Sequence, residues 1–295
     1  MTAERLGQQL RSFIRDVSPA PVTQLVRKVL IWKRNAVFRP YVSMKRIHEE
    51  SFQFYTGDST ARMWYEGEHH EWMVEVPFII DHMLSATDTV FEVGSHHGFH
   101  LIPIARRVSR AIAIEPNPHN VAILKKNLAL NSLNNVTVVQ AAIGDSVGRI
   151  AILQDTNEGG VSSGGMSDLP TITVDLLPLD RLAEKFGIPQ FLKIDVEGFE
   201  DRVLRGASQI MRHRPKIAIE VHVDWIARYG SCVEDLLGLL RLDDYEVWIL
   251  GWPAVRVTRW AGEDLKSYPP PKFHLYLLPR ENTQSNPNRR RFDAD

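Results

Sequence analysis

Six polar residues stand at or near the ends of short apolar runs, where chemistry in an α/β protein is usually done. Glu92 lies in Thr89–Val93, Glu115 follows Ala111–Ile114, and Gln140 follows Val136–Val139. Asp195 follows Phe191–Ile194, and Glu220 and His222 lie in and just beyond Lys216–Val221. Apolar runs of this length bounded by turn residues read as buried strands. When such strands are parallel, their carboxyl ends open onto one crevice. Carboxylates and an imidazole gathered there are groups that accept protons and orient hydroxyls. Asp195 is the leading candidate, as base or as a group that orients an acceptor, and His222 is the competing base. Glu220 lies on the same side of its strand as His222 by the two-residue period. Lys193 sits inside its strand, either as a further catalytic candidate or as half of a structural ion pair. Asp195, Glu220 and His222 have the oxygen and imidazole ligands that Mg²⁺ or Mn²⁺ accepts. A hydrogen-bonded cluster without metal accounts for the same residues, so no metal site is assigned at this point.

The strand Thr89–Val93 breaks into Gly94-Ser95-His96-His97-Gly98, and Leu101–Val108 then has helical spacing. A strand, a glycine turn and a helix open a nucleotide-binding unit, where the helix start supplies free N–H groups. A dinucleotide fingerprint requires a glycine two positions after the first, to admit a pyrophosphate. That position is His96, so a nicotinamide-dependent oxidoreductase is only the runner-up. The pattern Glu92-x-Gly94-x-x-x-Gly98 resembles motif I of class I S-adenosylmethionine (SAM) methyltransferases. Their cofactor has no phosphate, so a carboxylate beside the turn is useful. Glu115 follows Gly94 by 21 positions, close to the spacing of about 20 for a carboxylate that accepts from ribose hydroxyls. The cofactor contacts expected from this reading are Glu92, Gly94, Ser95, His96, Gly98, Glu115, Pro116, Asn117 and Ala142.

These residues require a scaffold of alternating strands and helices. From residue 89 onward the pattern predicts strands at 89–93, 111–114, 136–139, 191–194 and 216–221, with two more at 246–250 and 273–278. Helices are predicted from 117 or 120 to about 130, over 178–186, over 200–211 and over 232–242. Segments 149–153 and 171–174 form an extra hairpin around a glycine-rich loop, 157–165. The architecture is therefore α/β, a mostly parallel seven-stranded sheet with helices on both faces and an antiparallel edge strand. Three regions follow: a basic arm and cap over 1–86, the main domain over 87–280, and a polar tail over 281–295. Within the first, residues 52–66 read as a strand or hairpin, and 70–84 as a helix that could cap the crevice.

Composition excludes some classes. The 295 residues are 44% hydrophobic and 24% charged, with a formal net charge of −1, which gives no electrostatic case for nucleic acid. The balance is uneven: residues 1–47 carry ten Arg or Lys against two acids, and residues 48–95 carry ten acids against Arg62. The basic arm could meet an anionic membrane, although packing on its own domain is the simpler reading. The single cysteine, Cys232, excludes an intrachain disulfide and fits a reducing, cytoplasmic setting. No run is apolar enough to span a bilayer.

Taken together, several motifs resemble the FkbM family of SAM-dependent methyltransferases: Phe91-Glu-Val-Gly-Ser-His-His-Gly98, Glu115-Pro-Asn117, Asn157-Glu-Gly-Gly160, Leu179-Asp180, and above all Leu192-Lys-Ile-Asp-Val-Glu-Gly-Phe-Glu200 with Val203-Leu-Arg-Gly-Ala207. The resemblance runs from about residue 88 to about 222. The family usually has Asp where this chain has Glu92, and a pair such as Asn-Ile in place of His96-His97. The resemblance implies a Rossmann-like class I fold, SAM as cofactor, and methylation of a hydroxyl on a sugar, polyketide or other secondary metabolite. No Asn-Pro-Pro-aromatic or Asp-Pro-Pro-aromatic tetrapeptide follows the fourth strand, and Cys232 is not preceded by proline, so the N-methyl and cytosine-5 patterns are absent. A SAM-fold module that has lost catalysis is the non-enzymatic alternative.

Overall fold

The computed structural model describes residues 38–57, 59–66, 70–153, 171–251, 256–268 and 272–280. Most of the basic arm, the glycine-rich loop 157–165 and the polar tail 281–295 lie outside the described residues. The chain divides into two compact units: Met1–Ser43 with Tyr55–Gly67, and Met44–Phe54 with Glu68–Asp295.

In the smaller unit, the helix α1 (Ser59–Glu66) carries the ion pair Arg62–Glu66 at 3.0 Å, one turn apart. Tyr41 donates to Glu66, and Thr56 Oγ1 donates to Ser43 Oγ at 3.1 Å. Strands β1 (Tyr41–Ile47) and β2 (Glu50–Thr56) form a two-stranded sheet whose turn end belongs to the larger unit. The segment 52–66 is thus the end of a hairpin followed by a helix. The turn end is fixed within the larger unit: Asn131 Oδ1 accepts from the Gln53 amide at 3.0 Å and its Nδ2 donates to Gln53 O at 2.7 Å.

The larger unit is built on β3 (Thr89–Val93), β4 (Arg110–Ile114), β5 (Val136–Val139), β9 (Phe191–Ile194) and β10 (Lys216–His222), all mutually parallel. Their near-continuous apolar sequences suit strands covered on both faces. Strand β13 (Lys272–Pro279) inserts antiparallel between β10 and β11 (Tyr245–Gly251), and the two-residue β12 (Thr258–Arg259) pairs antiparallel at the edge. The order is β12-β11-β13-β10-β9-β3-β4-β5. The sheet therefore has the expected seven strands and one short addition. After β3 the chain moves outward through β4 and β5, then returns to place β9 on the other side of β3. The β3–β9 boundary is thus a topological switch point, where a crevice opens at the carboxyl ends. The predicted hairpin forms apart from this sheet: β7 (Gly148–Leu153) pairs antiparallel with β8 (Thr171–Leu177), which also pairs with β6 (Ala142–Ile143).

One helix departs from expectation for a physical reason. The predicted helix 200–211 is two, α6 (Glu200–Arg205) and α7 (Ser208–Arg212), broken at Gly206. The Gly206 carbonyl accepts from the Asp180 amide at 2.9 Å, and a Cβ on Gly206 would lie 1.9 Å from Gly144 O. Asp180 then caps α7, accepting from the Gln209 and Ile210 amides at 2.9 and 3.1 Å. The helix α2 (His70–His82), read as part of a cap, turns Glu75 toward β9, as described below.

Candidate active site

The turn after β3 is held by its neighbours before any ligand is considered. The Gly94 and Ser95 amides both donate to Ile114 O, at 2.9 and 3.1 Å, and Ser95 Oγ accepts from the Ile114 amide at 3.1 Å. Gly94 has φ +87°, and a Cβ there would lie 1.7 Å from the Asp195 carbonyl oxygen. The glycine is therefore required where the ends of β3 and β9 meet, a closer constraint than ligand approach. His96 is also left-handed, at φ 47°, a region that histidine enters more readily than most residues. This turns its amide onto Glu115 Oε2 at 2.9 Å. The His96 ring stacks on His97, with centroids 3.9 Å apart, and the His97 carbonyl accepts from Asn127 Nδ2 at 2.8 Å.

Glu115, at the end of β4, is buried. Besides His96 it accepts from the Asn117 amide at 2.9 Å and from Asn120 Nδ2 at 3.2 Å, both on Oε1. Burial raises its pKa, and these donors oppose the rise. Asn117 caps the helix α4 (Pro118–Leu130), accepting from the His119 amide at 2.9 Å, with Pro118 at the first helical position. Turn and helix start are thus joined through one carboxylate. Glu92 is buried nearby, and its Oε2 makes no hydrogen bond among the described residues. Burial pushes it up to about 8 against the pull of Lys193. Ala142 packs with Ile152 and Val174 in the small sheet's apolar cluster.

The second half of the site surrounds the end of β9. Leu192 and Ile194 face the main core, so the intervening Lys193 points the other way and is fully buried. Its Nζ lies 3.6 Å from Glu75 Oε1 and 3.8 Å from Asp195 Oδ2. Burial would lower the Lys193 pKa, but Glu75, Asp195 and Glu92 hold it above the ordinary value. Burial would likewise raise Glu75, but Lys193, His100 and His274 hold it well below the carboxylate range. His100 Nε2 is 3.2 Å from Glu75 Oε2, and His274 Nδ1 is 3.8 Å from Oε1. The geometry makes Lys193 half of a buried ion pair whose other neighbour is Asp195.

Asp195, Glu220 and His222 come together as the strand ends suggest, each offering a ligand atom within 4.8 Å of the others. Asp195 is the most exposed of the three, with 23% of its side chain accessible. Burial and the Glu220 charge push its pKa up, and Lys193 opposes them. Glu220 is pushed up by burial but held well below its usual range by His274, His222 and Lys272. Lys272 Nζ lies 2.5 Å from Glu220 Oε1. His222 touches three carboxylates: Nδ1 faces Glu200 Oε1 at 2.8 Å, and Nε2 faces Glu197 Oε2 at 3.1 Å and Glu220 Oε1 at 3.3 Å. Burial would lower its pKa, but these contacts raise it well above the usual imidazole value.

Glu75, Glu200 and His274 were not singled out from sequence as site residues. Glu75 could have been found as a carboxylate one turn from Trp72 and Ile79 on an otherwise apolar helix face. Glu200 reads as a favourable helix-start charge, yet it is fully buried and accepts from the Gly198 amide at 2.9 Å. His274 pairs in register with Glu220 across β10 and β13, a partnership visible only once the antiparallel insertion is known.

Among solved structures, the chain is similar to precorrin-6y C5,15-methyltransferase from Geobacter metallireducens, at 14% identity and a TM-score of 0.39, covering 70% of this chain and 86% of that one. It is similar to TYW2 from M. jannaschii in complex with AdoMet at 16% identity and 0.44, covering 81% and 85%. An rRNA methylase from Streptococcus thermophilus matches at 10% and 0.44, covering 72% and 98%. None of the curated proteins compared with the chain matches it. Residues 92–247, more than half of the chain and including Glu92, Gly94, Glu115, Asp195, Glu220 and His222, match the methyltransferase FkbM domain, and the chain belongs to that family.

Proposed function

We infer that the chain methylates a hydroxyl oxygen of a small molecule, of the sugar or polyketide kind, with SAM as the methyl donor. The observation that carries this reading is the meeting of two half-sites at the β3–β9 switch point. The turn around Gly94 touches the Asp195 carbonyl, and the Asp195 side chain belongs to the Glu220–His222 cluster. A cofactor seated against the turn would face an acceptor seated against the cluster.

The residues fit such a cofactor. Glu115 has three donors and room for about one more, which a ribose hydroxyl would take. Glu92 has a buried oxygen without a partner among the described residues, suited to an ammonium group. Ser95, His96, Gly98, Pro116 and Asn117 shape the same turn and helix start. SAM, when bound, supplies an electrophilic methyl group on a sulfonium. Asp195 would receive the acceptor's hydroxyl proton as the carbon–oxygen bond forms and the carbon–sulfur bond breaks; His222, the competing base, is the weaker candidate because its three carboxylate contacts hold it protonated. Lys193 holds Asp195 in place and Glu220 holds His222. The chemistry of the cluster favours oxygen acceptors, because an alcohol must lose its proton and carboxylate and imidazole groups are there to take it.

Calorimetry with the full chain tests the cofactor. SAM is expected to bind and NAD is not. Binding of NAD alone would turn the reading to an oxidoreductase. Binding of SAM with no methyl release in any acceptor mixture would leave a binding module without catalysis.

A further inference from the structure

We propose that Asp195, Glu220 and His222 hold one divalent cation of the Mg²⁺/Mn²⁺ class on the acceptor side of the crevice, with His222 ligating through Nε2 and Glu200 fixing that ring from behind. Four observations lead there. First, the three residues offer atoms within 4.8 Å of one another. Ligands of a single ion lie no more than about twice the metal–ligand distance apart, about 4 to 5 Å.

Second, the imidazole is oriented as a ligating histidine is. Glu200 is fully buried, is itself anchored by the Gly198 amide, and meets Nδ1 at 2.8 Å. A carboxylate behind Nδ1 holds a proton there and leaves Nε2 as the nitrogen that gives up its proton to a metal, the arrangement that supports metal-bound histidines. Third, Nε2 faces two carboxylate oxygens, Glu197 Oε2 and Glu220 Oε1, at 3.1 and 3.3 Å. A single N–H can serve only one of them, whereas a cation is attracted to both.

Fourth, five carboxylates crowd the cluster. Glu75, Asp195, Glu197, Glu200 and Glu220 are gathered with Lys193 and Lys272 and the imidazoles of His100, His222 and His274. Ligation takes a proton from His222, and one divalent ion then supplies the positive charge that the imidazolium gives up. Mixed oxygen and imidazole donors suit Mn²⁺ as well as Mg²⁺. The role of the ion rests on the methyl-transfer reading above: it would bind the acceptor oxygen and lower its pKa, so that Asp195 need not act alone. Its binding does not rest on that reading.

The test uses full-length protein stripped with chelator and titrated with Mn²⁺ alone, read by electron paramagnetic resonance. One tightly bound Mn²⁺ per chain is expected, with nitrogen hyperfine coupling from a single imidazole. Glu200→Gln should weaken binding by about 10–100-fold, as loss of a supporting carboxylate does. His222→Gln should abolish the nitrogen coupling. The proposal is overturned if folded wild-type protein binds no Mn²⁺, if bound Mn²⁺ shows no nitrogen coupling, or if that coupling persists in folded His222→Gln. SAM is titrated into the same metal-free sample. SAM binding without Mn²⁺ binding removes the ion and leaves the methyl-transfer reading. Mn²⁺ binding without SAM binding keeps the ion and removes that reading.

Discussion

Glu92 and Glu115 are buried carboxylates a few residues from the same turn, and their surroundings separate them. Glu115 is satisfied by three donors, whereas one Glu92 oxygen has no partner among the described residues and its pKa rises from 4.5 to about 8. Between those values the folded chain keeps a proton that the unfolded chain has released. Glu92 therefore contributes stability in full below about pH 4.5 and loses it as the pH rises through about 8. Glu92→Gln, neutral at every pH, should be more thermostable than wild type at pH 9 relative to their difference at pH 5, by at least a few degrees in cofactor-free protein. Parallel melting curves across that range would contradict the account. For Glu115, replacement by Ala should weaken SAM binding by roughly 1.5–3 kcal/mol, the range for a hydrogen bond to a charged group, in a variant that calorimetry shows still folded. Unchanged affinity would take Glu115 out of the cofactor site.

At the scale of elements, the ends of β3 and β9 are locked by contact of backbone with backbone. Gly94 was legible in sequence as part of a ligand turn, but its nearest neighbour, the Asp195 carbonyl, was not, because no local pattern reports which strand returns beside β3. Gly94→Ala should therefore destabilise the fold itself, by about 3 kcal/mol or more, lowering the melting temperature by roughly 5 °C or more for a chain of this size. Normal melting with lost SAM binding would restore the simpler ligand-approach explanation. The Glu75–Lys193 pair joins α2 to the sheet in the same way. Lys193→Met leaves Glu75 buried beside only the two histidines, and removing one partner of a buried pair costs about 3–5 kcal/mol. Denaturant unfolding of Lys193→Met and of the double variant Glu75→Leu, Lys193→Met should show the double variant recovering part of that loss. If the double variant is the less stable, the pair does not hold α2.

At the scale of the molecule, the strands were legible because parallel strands buried on both faces read as unbroken apolar runs, and their polar ends marked one edge of the sheet. Helix boundaries were less so. The break at Gly206 depends on the distant Gly144 and Asp180, and the insertion of β13 between β10 and β11 depends on pairings far apart in sequence. The site divides similarly. The meeting of Asp195, Glu220 and His222 was legible from their positions at strand ends. Glu75, Glu200 and His274 act through partners on other elements, and single-sequence periodicity does not see those partners. Among the described residues no helix is long and apolar enough to cross a membrane.

The central claim is that this fold moves a methyl group onto a hydroxyl oxygen through Asp195 and its neighbours. Full-length protein, supplied with Mn²⁺ and methyl-labelled SAM, is incubated with a metabolite extract, and labelled products are identified by mass and fragmentation. The account predicts label in a methyl ether of a small hydroxylated molecule, and turnover of Asp195→Asn on that product lower by about 10²–10⁴ with SAM affinity within a few-fold. Label on nitrogen, carbon or RNA, or full turnover by both Asp195→Asn and His222→Gln, would contradict it.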